Sequence, residues 1–457
     1  MVSETESQAP GALPALPPSP ALREAAAAVR AAPADAATLG RLAEALKREG
    51  HDRAALAILE RALALADPGV PVLEGLEDAD LLLRAGVRLG QEERLEAALT
   101  ALERAVAARP ALTRGWTNRA VALCKLGRFR EALACTRTAE ALDPACAEAR
   151  FGSAVALLAL GAWEEGFPLY EARWDLPGAA RPRLASPRWQ GEDYAGRTLL
   201  VLGEQGFGDM LMFFRFIQPA AERGGRLILQ VPDALHRLLA SEALCWPGAA
   251  PPHDLHCPLM SLPGVLGLGP ATVPPAPYLR ADPAATQAWR DRLPRDAVLR
   301  VGLVWAGGGR RSDGGSQQPD AGRSVPAAAL SPLGAVAGVC FVSLQLGDGV
   351  DPAPFPLLDL TAGLRDFADT AALMAALDLV ITVDTAAVHL AGALGRPVWL
   401  LRRFAVDWRF PGGTTSFWYP TLRIFAQPRP GDWQTPLRQA AADLAALAAA
   451  RAREVHG

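Results

Sequence analysis

A repeat constrains this chain more than any other feature. Pro110 and Pro144 stand 34 residues apart, with Trp116, Ala120, Gly127, Ala132 and Ala139 between them. Two antiparallel helices approach closely only where side chains are small, so this spacing predicts a helix pair closed by a proline. Looser copies flank it. Ala43, Gly50, Ala55, Ala62 and Pro68 come first, then Gly86, Ala98, Ala105 and Pro110, and finally Ala154, Gly161, Gly166, Tyr170 and Arg173. About four stacked pairs over residues 21–175 would form a short superhelix, whose concave face suits an extended peptide. Cys124, Cys135 and Cys146 read as small repeat residues, not metal ligands. Residues 1–20, rich in proline and without apolar periodicity, read as a disordered tail.

The pattern changes after a Pro/Gly/Arg-rich stretch, 176–198, expected to be a linker. Short apolar strands then alternate with helices: Leu199–Leu202, Arg226–Val231, Val301–Trp305, Val339–Leu344, Leu379–Val383 and Pro397–Leu401 read as strands. Continuous apolar strands separated by helices imply parallel sheets covered on both faces. A break near Asp282 to Pro294 divides them into two Rossmann-like lobes, 199–283 and 294–457.

Charge and cysteine content narrow the functions open to such a chain. Lys+Arg 46 against Asp+Glu 49 leaves a net charge of −3, which argues against a general grip on nucleic acid. The six cysteines form no C-x-x-C pair, so reduced thiols are expected. Apolar runs such as Ala371 to Val383 are too short to cross a bilayer. With no signal peptide legible in the proline-broken, acidic first residues, a cytoplasmic location is expected.

Two strand-to-helix loops carry chemistry. Gly203-Glu204-Gln205-Gly206-Phe207-Gly208-Asp209 follows the first strand, but its glycine spacing departs from the dinucleotide fingerprint. No Walker sequence accompanies it. The loop is expected to aim Glu204 and Asp209 into a cleft at the carboxyl end of the sheet, and Asp209 is equally readable as a helix cap. In the second lobe Val383-Asp384-Thr385-Ala386-Ala387-Val388-His389 ends a strand and opens a helix. Free N–H groups, the helix dipole and the Thr385 hydroxyl make a ready diphosphate site, and His389, one turn on, either faces that ligand or packs structurally. Arg310, Arg311 and Arg323 lie on a glycine-rich loop suited to phosphate, with Arg310 and Arg311 also readable as a solvated basic loop. His253, His256 and Cys257 are not spaced as a metal site.

GEQGFGD with Phe213, Phe214 and Arg215, taken with LDLVITVDTAAVHLAGALGRPVWLL, closely resembles the heptosyltransferase-like glycosyltransferases of family nine, in the branch with N-terminal tetratricopeptide repeats. The resemblance implies an α-helical tetratricopeptide solenoid followed by an α/β GT-B fold, with an acceptor lobe, a nucleotide-sugar lobe and no essential metal or cofactor. By it, Asp209 is the catalytic base; Arg323, Ser324, Asp384, Thr385, Ala386 and His389 hold the donor; Glu204, Gln205, Gly206 and Gly208 form the acceptor-side loop. It also implies a protein acceptor, flagellin Ser/Thr, recruited by the repeats. A saccharide or lipopolysaccharide acceptor and a non-catalytic scaffold are the alternatives. The loop from Gly308 to Ala321 is longer than the family's, and Trp408-Arg409-Phe410 and Ser416 to Pro420 carry Phe in an aromatic tail that usually has Trp or Pro, which bears on donor choice.

Overall fold

The computed structural model describes residues 19–65, 71–74, 76–307, 322–347 and 350–456. The proposed tail, apart from its last two residues, and Arg310 and Arg311 lie outside them. Contacts divide the chain into two compact units: Met1–Ala122 with Thr138–Pro144, and Leu123–Arg137 with Ala145–Gly457.

The first unit is built from helix pairs resembling tetratricopeptide repeats. Ala36–Arg48 pairs with Asp52–Leu65, and Ala79–Gln91 with Leu95–Ala108. The small residues do what the repeat requires: Ala43, Ala55, Ala62, Ala98 and Ala105 are fully buried at the helix crossings. A Cβ on Gly86 would lie 2.5 Å from Leu102, inside any real contact distance. Gly50 takes a positive φ of 80° at the turn between helices, as do Gly127 and Gly161 in the second unit. Between Ala79–Gln91 and Leu95–Ala108 that conformation falls to Glu93, at φ 60°.

The second unit joins helices Ala147–Ala159 and Trp163–Tyr170 to two α/β lobes. Its first sheet contains β1 (Thr198–Leu202), β2 (Arg226–Val231), β3 (Cys245–Pro247) and β4 (Leu255–Pro258) in the order β3-β2-β1-β4. The second contains β5 (Leu299–Val304), β6 (Val339–Ser343), β7 (Leu358–Asp359), β8 (Leu379–Val383), β9 (Val398–Arg402) and β10 (Leu422–Ala426), in the order β10-β9-β8-β5-β6-β7. Every pairing is parallel. This is the two-lobed α/β arrangement of a GT-B fold. In both sheets the strand order reverses beside the first strand, between β1 and β4 and between β5 and β8. Crevices open at the carboxyl ends of strands at such points.

Two boundaries differ from the sequence reading. Residues 145–174, counted with the repeats, pack into the core of the lobes: Trp163, Phe167 and Tyr170 are buried with Phe213 and Trp408, and Trp163 stacks on Trp418 at 5.0 Å. Large aromatic side chains make this last pair part of the α/β unit. The stretch 176–198 is also more than a linker. Arg188 bridges His256 in parallel, the Trp189 amide donates to the His256 carbonyl at 2.8 Å, and Trp189 and Tyr194 are fully buried. The break between lobes is occupied by a helix, Pro283–Arg290, capped by Asp282. The helix Gln434–His456 packs Leu437, Ala440 and Leu444 on the second sheet.

Candidate functional site

A cleft of about 890 Å³ lies between the lobes at both reversal points. Gln205, Gly206, Phe207, Gly208 and Asp209 line it from the first lobe; Arg323, Asp384, Thr385, Ala386 and His389 line it from the second. Nearly all the expected site residues therefore converge.

Asp209 reaches the cleft and also bonds back to the start of its own helix. The helix Phe207–Phe213 is capped by Gly206, not by Asp209, which stands at its third position. From there Oδ2 accepts the Gly206 N–H at 3.2 Å, while Oδ1 meets the guanidinium of Arg409. Gln205 takes a left-handed φ of 63° to make this turn. Gly208 is glycine because the lobes touch there: a Cβ would come within 2.9 Å of the His389 ring and 3.4 Å of Ala386 Cα.

Glu204 departs from expectation. Its side chain is 6% exposed, forms a two-pronged pair with Arg173 at 2.9 Å for both bonds, and accepts the Met260 N–H at 2.9 Å. It is absent from the cleft lining and anchors the loop to the 3-10 turn Glu171–Trp174 that follows Trp163–Tyr170. Arg173 also bonds Glu171 and Ser261, both at 2.9 Å. Loss of solvent raises the Glu204 carboxyl above its usual range against the pull of Arg173.

On the opposite wall, Thr385 caps Ala386–Ala393, its Oγ1 accepting the Ala387 N–H at 3.3 Å. The start of this helix forms the cleft surface, so its dipole favours an anion there. Arg323 adds a cation. Ser324 instead accepts the Gly307 N–H at 3.2 Å and tethers the ends of the loop. His389 is 4% exposed, shares a hydrogen bond between Nδ1 and the Tyr419 hydroxyl at 3.0 Å, and stacks on Phe410. Burial pulls its pKa down to about 4, so at neutral pH it is an uncharged wall residue, not a cation for phosphate.

Sequence reasoning passed over Asp407 and Arg409, which also line the cleft. Trp408-Arg409-Phe410 reads as an aromatic tail, and only the fold shows that its central arginine turns inward. Asp384 sits among these charges. Burial, followed by the nearby Asp407 carboxylate, pushes its pKa up to about 6. Among the described residues no group of three His, Cys, Asp or Glu side chains is placed to hold a metal; His256 instead bonds Ser186 at 2.9 Å.

These shifts have opposite signs in stability. A raised Asp384 pKa stabilises the fold at low pH, an effect lost as pH rises from its usual 3.8 through about 6. A depressed His389 pKa stabilises it above 6.5, an effect lost as pH falls towards 4. Asp384→Asn is therefore expected to gain melting temperature relative to the parent as pH rises from 4 to 7. His389→Gln should gain as pH falls over the same range. Melting curves parallel to the parent's would contradict both assignments.

Comparison with known proteins bears on what fills this cleft. Residues 359–401 match the model of glycosyltransferase family 9 (heptosyltransferase). That segment contains the Asp384 to His389 wall. The chain is 28% identical over 326 residues to Protein FlbA of Caulobacter vibrioides, an alignment covering 62% of this chain and 53% of FlbA, so it spans about half the length of that relative. A crystal structure of the glycosyl transferase family 9 from Veillonella parvula aligns with 52% of this chain and 88% of its own, at 11% identity and a TM-score of 0.37. YrrB, a TPR protein with an unusual peptide-binding site, aligns with 34% of this chain and 93% of its own, at 21% identity and a TM-score of 0.23. In sequence, the chain is thus similar to heptosyltransferase-like glycosyltransferases over the segment that forms this wall, and to FlbA over a longer stretch. No helix among the described residues is long and apolar enough to cross a membrane.

Proposed function

We propose that the chain transfers a sugar from a nucleotide-sugar donor to a hydroxyl of a protein acceptor, without a metal or cofactor. One observation carries this reading: the Asp209 carboxylate of the first lobe faces, across one cleft, the helix start at Thr385–Ala387 and Arg323 of the second. The donor phosphates lie at the helix start, where dipole and cation stabilise charge developing on the leaving group. Asp209 removes the acceptor proton as general base, using lone pairs not taken by Gly206 and Arg409. The two walls supply the proximity that a direct displacement needs.

The helical unit supplies the argument for a protein acceptor. It carries a groove of about 470 Å³ lined by Lys47, Leu56, Arg84, Val87, Arg88 and Arg114 among others, a mixed apolar and charged surface suited to a peptide. Flagellin Ser/Thr is the acceptor that the sequence resemblance suggests, and work in the cytoplasm follows from it. The test is incubation of the full chain with UDP-, GDP-, ADP- and CMP-sugars and purified flagellin, read by intact-protein mass. A hexose- or nonulosonate-sized mass gain that Arg84→Glu with Arg114→Glu reduces at least tenfold, with nucleotide binding unchanged, is expected. Transfer to lipopolysaccharide core instead, unaffected by those substitutions, would favour the saccharide acceptor.

A further inference from the structure

Asp209 and Arg409 come from different lobes, 200 residues apart in sequence, yet meet in the wall of the cleft with only 13% and 15% of their side chains exposed. We propose that Arg409 is a positioning residue, which holds the Asp209 carboxylate in its working orientation and does so only while the two lobes are together. The inference rests on the transferase reading for its catalytic consequence, though not for the pair itself.

Arg409 is itself rigidly placed. Its Nη1 and its backbone N–H both donate to Asp407 Oδ1 at 2.9 Å, and its guanidinium lies 4.6 Å over the Trp408 ring. One planar group thus serves Asp407 through one nitrogen and Asp209 through the other, a geometry that the single ammonium of lysine cannot copy. Asp209 is fixed at its second oxygen by Gly206. With both oxygens anchored, the carboxylate has one orientation, and its remaining lone pairs serve the cleft. The lobe that carries the donor wall therefore also aligns the base of the other lobe. If the lobes part, Asp209 keeps its Gly206 bond and loses Arg409, so alignment of the base is tied to closure. Burial opposes the charge on Arg409, but Asp209 and Asp407 outweigh it and hold its pKa well above the usual arginine range, so the guanidinium stays charged.

The experiment is a double-mutant cycle of Arg409→Gln and Asp209→Asn in the full chain, with Arg409→Lys as a variant that keeps the charge. Turnover is measured with whichever nucleotide sugar of the panel the parent uses, and thermal unfolding is measured on the parent, the two single variants of the cycle and the double variant. Arg409→Gln is expected to lower kcat at least tenfold with donor KM changed less than threefold. Arg409→Lys should recover little of it, and the double variant should be no slower than Asp209→Asn alone. Millimolar guanidinium should restore part of the turnover of Arg409→Ala. A kcat unchanged in Arg409→Gln, or losses that multiply in the double variant, would overturn the proposal. If the parent turns over no donor, the transferase reading fails separately, and the unfolding cycle decides the pair: non-additive shifts in melting temperature support it, additive ones overturn it.

Discussion

Arg173→Met is expected to destabilise the α/β unit by about 3–5 kcal/mol, the usual cost of removing one partner from a buried ion pair. Arg173 is 3% exposed and Glu204 6%, and Glu171, Ser261 and the Met260 amide complete the cluster. Removing the cation strands a buried carboxylate in the turn that leads to Asp209. Replacing both partners, Arg173→Met with Glu204→Met, should recover much of the loss, because no charge is then left unpaired. Urea unfolding of the three proteins measures this. A single-variant loss below about 1 kcal/mol, within the range of an exposed pair, would show that the cluster does not hold the loop.

The same cluster shows what was legible in the sequence. Small residues at a 34-residue period disclosed the helix pairs, because close packing leaves few alternatives to alanine and glycine at a crossing. Continuous apolar runs disclosed β2 and β8 with their boundaries. The Asp384 to His389 wall was legible because a strand end and a helix start are both local. Arg173, by contrast, reads as the end of a repeat, and only tertiary packing shows that it grips a loop 31 residues on. β3, β4 and β10 are short or interrupted by proline and polar residues, and gave no clear period. Trp189 and Tyr194 are buried within a stretch whose prolines and glycines suggest a linker, since burial of two isolated aromatic residues leaves no periodic trace. Arg409 could be found only from the fold, because its partner belongs to the other lobe.

Asp209→Asn is expected to reduce transfer by about 10²–10⁴-fold, the contribution typical of a positioned general base. The amide keeps the shape of the carboxylate but cannot take the acceptor proton. It also weakens the contact with Arg409, so a moderate loss of melting temperature accompanies the loss of rate. Donor affinity should change little, because the proposed phosphate site is on the opposite wall. Initial rates at saturating donor and acceptor separate the effects, and a variant with parental kcat would leave Asp209 a structural residue only.

The central claim, that a nucleotide sugar lies across the cleft with its phosphates at the Thr385–Ala387 helix start, is tested most directly by calorimetric titration of UDP, GDP, ADP and CMP into the parent, Arg323→Met, Thr385→Val and Asp209→Asn, with and without EDTA. One nucleotide should bind the parent, bind Arg323→Met and Thr385→Val at least tenfold more weakly, bind Asp209→Asn within threefold of the parent, and be indifferent to EDTA. Binding of equal strength in all four proteins, or to none of them, would contradict the account.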